Sequence, residues 1–173
     1  MSKGSFLDLS PKTILLIAAL CAFCSVFSTF DTSEQYRAWK TAKTWTEEQK
    51  AVAPALDADS MAKNVLVCLL LNTAIIVASF LCLLVSVIAI ATDSAALLKG
   101  ASFTVMTALF LGIVYSVSML LYQYRVGPRL TLKGPIFDYD LRMQIPVIIA
   151  VAAYPLLSIF WLVVQRDSQA YKS

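Results

Sequence analysis

Residues 65–92 contain no charged side chain, and a chain folding in water has nowhere to put such a run. An uncharged apolar stretch of about 20 residues is what a helix needs to cross a hydrocarbon core roughly 30 Å thick. Residues 13–30, 101–124 and 143–164 have the same character. Lipid offers the backbone no hydrogen-bond partners, so each run must close its own ladder as a helix. The sequence therefore predicts an all-α integral membrane four-transmembrane-helix bundle. Its single domain has spans at about 12–30, 61–92, 95–124 and 142–165, polar loops at 31–60 and 125–141, and both termini on one side.

Composition agrees. The chain is 59% hydrophobic and 14% charged, against about 25% charged in soluble domains. A net charge of +3 spread over 173 residues gives no nucleic-acid footprint. Histidine is absent, which removes bis-histidine haem, Ser-His-Asp hydrolysis and the commonest general base. Neither a GxxxxGK[ST] nor a GxGxxG phosphate loop occurs. No Asp, Glu, Lys or Arg falls near the middle of a span, where ion-coupled transporters and proton relays keep one. The reading is of a protein that is not an enzyme and uses no cofactor or metal.

Local signals bound the spans. Ser10 and Pro11 suit the cap and first position of span one. Lys3 and Lys12 precede its apolar core as in a signal peptide, but the run exceeds a typical signal core and no small-x-small cleavage site follows. Asp59 or Ser60 suits the start of span two, and Asp93 or Ser94 the start of span three after a tight turn. Gly127-Pro128 and Gly134-Pro135 break the second loop. Pro155 falls inside span four, where it should kink the helix unless a neighbour satisfies the carbonyl it frees.

The first loop carries Tyr36, Trp39 and Trp45 interleaved with Arg37, Lys40 and Lys43. Asp31 with Glu34, and Thr44 with Glu47, have capping-box spacing. The expectation is a short helical loop lying in the membrane interface between spans one and two. Tyr36, Arg37, Trp39, Lys40 and Trp45 are its candidate partner- or headgroup-binding residues.

Small residues recur at every fourth position in span two (Ala74, Ala78, Cys82, Ser86) and span three (Gly100, Thr104, Ala108, Gly112, Ser116). Such stripes let helices approach closely where no hydrophobic effect drives them together. They are the candidate helix-packing residues, for use within the chain or against another subunit. Asn72 is the one amide deep in a span and is expected to bond across helices.

The leading expectation is a non-catalytic membrane subunit with a structural or assembly role, its partners being other membrane protein subunits and the bilayer. One alternative is a homo-oligomeric tetraspan forming a pore or cell contact, with Ser79, Ser86, Thr107, Ser116 and Ser118 available to line it. Another is a thiol oxidoreductase using Cys21 and Cys24 in a CxxC spacing, against which stands their place in lipid without a basic neighbour. Counting Lys and Arg alone puts the side of the two long loops in the cytoplasm or matrix, with nine of the basic residues there once Lys63 and Arg142 at the adjoining span ends are included. In topology the chain resembles claudin-like and MARVEL-type tetraspans. The claudin signature of Trp, Gly-Leu-Trp and paired loop cysteines is missing.

Overall fold

A computed structural model describes residues 10–41, 57–126 and 141–170, and these form four helices. They are α1 (Pro11–Lys40), α2 (Ala58–Ala91), α3 (Ala95–Val126) and α4 (Leu141–Ala170). Each is long and apolar enough to cross a membrane. This is the architecture of a multi-pass membrane protein.

What orders the bundle is a seven-residue repeat. The buried positions of α2 are Met61, Val65, Cys68, Asn72, Ile75, Ser79, Cys82, Ser86 and Ala89, alternating by four and three. On α1 the same alternation runs Ile14, Ala18, Cys21, Ser25, Ser28, Thr32, Gln35, Trp39. On α3 it runs Ala101, Val105, Ala108, Gly112, Tyr115, Met119, Tyr122, and on α4 Val147, Ala150, Tyr154, half-buried Leu157 and Trp161. A strict heptad keeps one seam facing its neighbours along the whole helix, as in left-handed bundles. α2 lies along both α1 and α3, α4 packs beside the same pair, and α1 meets α3 across the bundle.

The repeat overrules the expected interfacial loop helix. Residues 31–40 continue α1 without interruption, because Thr32, Gln35 and Trp39 extend its seam in register. The capping-box spacing of Asp31 and Glu34 is a local preference, and the tertiary seam outweighs it. Thr44 and Glu47 lie outside the described residues. α1 thus reaches about 45 Å at 1.5 Å per residue, well beyond the hydrocarbon thickness.

Helix ends follow ordinary capping chemistry, with small departures from expectation. Pro11 opens α1, but the Ser10 side chain makes no capping hydrogen bond. α2 begins earlier than its sequence suggests, because Asp57 accepts the Asp59 N–H at 3.2 Å. Between α2 and α3, Asp93 takes a left-handed conformation (φ 51°), which lets the chain reverse within three residues. The Ser94 N–H returns to the Ala89 carbonyl at 3.0 Å, and its side chain receives the Leu97 N–H at 3.5 Å.

The fourfold small-residue stripes are only partly used inside. On a helix of 3.6 residues per turn, a step of four rotates by about 40°, so three steps drift by about 120°. Cys82, Ser86, Ala108, Gly112 and Ser116 are buried, Ala78 and Thr104 are half-buried, and Ala74 and Gly100 are exposed. Two glycines therefore differ sharply. A Cβ on Gly112 would sit 2.5 Å from the Tyr154 ring, whereas one on Gly100 would meet nothing within 4 Å. Gly112→Ala is expected to destabilise the bundle by about 1–3 kcal/mol through overpacking, and Gly100→Ala to leave its stability unchanged. Reversible unfolding of both variants in detergent micelles measures the contrast.

Candidate functional site

Deep in the bundle, polar side chains from all four helices converge. Ser25, Ser28 and Thr32 come from α1, Asn72 from α2, Tyr115 from α3 and Tyr154 from α4, and all six are buried. The heptad makes this possible, since each occupies a seam position. The Ser25 and Tyr154 hydroxyls are hydrogen-bonded to each other. Asn72 donates from Nδ2 to Ser28 Oγ at 3.0 Å, the cross-helix bond expected of that amide. Ser28 and Thr32 turn their own hydroxyls back to α1 carbonyls, at 3.3 and 2.8 Å. The Tyr115 ring stands edge-on to Tyr154, with centroids 6.0 Å apart and planes at 88°. Asn72 Oδ1 and Tyr115 Oη are nevertheless left without a hydrogen bond.

Two further bonds tie the helices together. Trp39 Nε1 donates to Tyr122 Oη at 2.7 Å, joining the last turns of α1 and α3. Ser116 Oγ lies 3.1 Å from the Val151 carbonyl of α4 and 2.9 Å from the Gly112 carbonyl of its own helix. Val151 is four residues before Pro155, so its carbonyl is the one the proline's missing N–H leaves open. The Ser116 hydroxyl has one hydrogen for two carbonyls and supplies α4 with the donor it lacks.

The candidate interface residues fare differently. Trp39, expected on a partner- or headgroup-facing loop, is 2% exposed and lies in the interior of the bundle. A buried indole needs an acceptor for its N–H, and the Tyr122 hydroxyl supplies one. Tyr36 is half-buried, Arg37 and Lys40 are exposed, and the Lys40 ammonium stands 5.7 Å from the Tyr36 ring centroid. Trp45 lies outside the described residues.

The remaining candidates are packed inside the bundle or bonded along their own helix, although Ser79 Oγ has no hydrogen-bond partner. Cys21, Cys24, Cys68 and Cys82 are free and buried, and Cys82 Sγ bonds the Ala101 carbonyl at 3.3 Å. Ser79 and Ser86 are buried in the α2 seam. Thr107 and Ser118 are half-buried and bond carbonyls of α3 at 3.0 and 2.8 Å. Neutral hydroxyls and the amides of Asn72 and Gln35 can hold and orient helices, but they carry no charge. The aromatic members, Tyr115, Tyr122, Tyr154 and Trp161, escape a search for small-residue stripes. A search for alternating three- and four-residue spacing would find them.

The Ser116 bond makes a specific prediction. Ser116→Ala should cost about 0.6 kcal/mol, the usual scale for such bonds in membrane bundles. In a Pro155→Ala background, where the Val151 carbonyl regains its own helical partner, the cost should shrink. A double-mutant cycle by detergent unfolding reads the difference. Comparison with protein-family models, curated proteins and solved structures gave no match to this chain.

Proposed function

We propose that this chain is a non-catalytic integral membrane subunit whose role is structural: a four-helix unit that docks in a larger membrane assembly. The observation that carries this reading is the commitment of the interior polar groups. Ser25, Asn72, Trp39 and Ser116 each bond a group on another helix, and Gly112 admits the Tyr154 ring. In a pore or transporter the groups at that depth face water or cargo. Here four of them bond across helices, while Asn72 Oδ1, Tyr115 Oη, Ser79 Oγ and Ser102 Oγ are buried without a partner.

What is left for recognition lies outside. Ala74 and Gly100 are small residues on the exposed surface, and Gly100 has open space where a side chain would be. Close approach by a helix of another chain is the use that lipid gives such positions. Because Gly112 is engaged within the chain, Gly100 is the position where a bulky substitution separates assembly from folding.

Mild-detergent solubilisation with native mass measurement, together with crosslinking in the native membrane, tests this. The expected outcome is a complex heavier than one chain, containing other subunits, that Gly100→Leu weakens while helix content is retained. A clean monomer with no crosslinked partner would refute the proposal. A symmetric ring of identical chains with conductance in bilayers would replace it with the homo-oligomeric reading.

A further inference from the structure

The last turn of α1 and the first turns of α2 enclose an open groove of about 400 Å³, lined by Tyr36, Lys40, Asp59, Ala62, Lys63 and Leu66. Its lining is ordered along the bundle axis. Lys40 and Asp59 stand at the helix ends, with Tyr36, Ala62 and Lys63 next. Leu66 lies about 10 Å further in than Asp59, at seven residues of 1.5 Å. Beyond Lys63, α2 has no charge until Asp93. The groove therefore straddles the line where the apolar length of α2 begins.

Its charge has a sign. Among the described residues that line it, Lys40 and Lys63 are exposed and Asp59 is the one acid, a net +1. Lys40 is held at the groove by its position near the Tyr36 ring, 5.7 Å from the centroid. Aromatic and basic side chains at this level are those that favour the headgroup layer.

We propose that this groove binds the phosphodiester of an anionic glycerophospholipid, with Lys40 and Lys63 contacting the phosphate and an acyl chain lying along Ala62 and Leu66. The order of the lining matches the order of the lipid: charge outermost, ester and aromatic level next, hydrocarbon beneath. A zwitterionic lipid whose choline offsets its phosphate gains less from a net positive groove. Free phosphate shares the charge but leaves the apolar floor unused. The inference rests on the membrane-spanning reading of the helices and is independent of whether other subunits are present.

The test is retention of lipid by the full-length protein, purified in detergent and measured by native mass spectrometry. The probes are phosphatidylglycerol, phosphatidylcholine and inorganic phosphate. Phosphatidylglycerol should be retained several-fold more than phosphatidylcholine, and inorganic phosphate should not displace it. Lys40→Gln with Lys63→Gln should remove that preference, while Lys99→Gln, near the start of α3, should not. Both groove lysines are exposed, so helix content by circular dichroism should be unchanged. Equal retention of the two lipids by the unsubstituted protein would overturn the proposal, as would a preference that survives the double substitution. Displacement by inorganic phosphate would assign the groove to a free anion and overturn the lipid. A monomer that still prefers phosphatidylglycerol would refute the assembly role alone.

Discussion

A hydroxyl or amide buried in hydrocarbon has no water to turn to, and the arrangement of this bundle follows from where such groups can be placed. The heptad seam offers the one repeated position shared by several helices at once. Ser25, Ser28, Thr32, Asn72, Tyr115 and Tyr154 all stand on it, so polar groups meet polar groups although each helix is overwhelmingly apolar. Serine and threonine have a local option as well, returning a hydrogen to their own helix, as Ser28 and Thr32 do. Asn72 and Tyr154 instead reach across to α1, bonding Ser28 and Ser25. These bonds set α2 and α4 against α1, and the Trp39–Tyr122 bond does the same for α3.

Volume is balanced across the same seam. Tyr154 fits because the facing residue of α3 is Gly112, whose missing Cβ leaves the room that the ring occupies. Ser116, one turn along α3, then comes within reach of Val151. The proline and the glycine contact are thus parts of one device. Close approach places the serine hydroxyl at the carbonyl that Pro155 exposes, and the compensated carbonyl lets a proline sit in a spanning helix. Pairing large aromatics with Gly, Ala and Ser also explains how a bundle with little apolar driving force reaches dense packing.

Much of the fold was legible in the chain because the constraint is crude: four uncharged runs of the right length can do little else. The tight turn at Asp93 was legible for the same reason, being the one polar break between two apolar runs. The detailed pattern was harder. A period of four and a period of three and a half look alike over two turns and diverge over four, which is why Cys82 and Ser86 face inward while Ala74 does not. The extension of α1 was masked by local chemistry: Asp31, Glu34, Arg37 and Lys40 read as loop by composition. Only the spacing of Ser28, Thr32, Gln35 and Trp39 shows that the seam continues. Trp39 reads from its neighbours as a surface aromatic, whereas its indole bonds Tyr122, 83 residues away, and no local window contains that contact.

The length of α1 links the interior to the surface. A helix of about 45 Å cannot be contained in a core of roughly 30 Å without tilting or emerging. Its surplus turns are the ones carrying Arg37 and Lys40. They are kept helical because Trp39 is anchored to Tyr122 beneath them, so the buried bond holds the exposed cations in a defined place. A flexible loop could carry the same charges, but it could not hold Lys40 against Tyr36 or set it across from Lys63. The rigidity won by the seam in the core is thus passed outward, turn by turn, to the end of the bundle, where α1, α2 and α3 present their charged residues to whatever lies beside them.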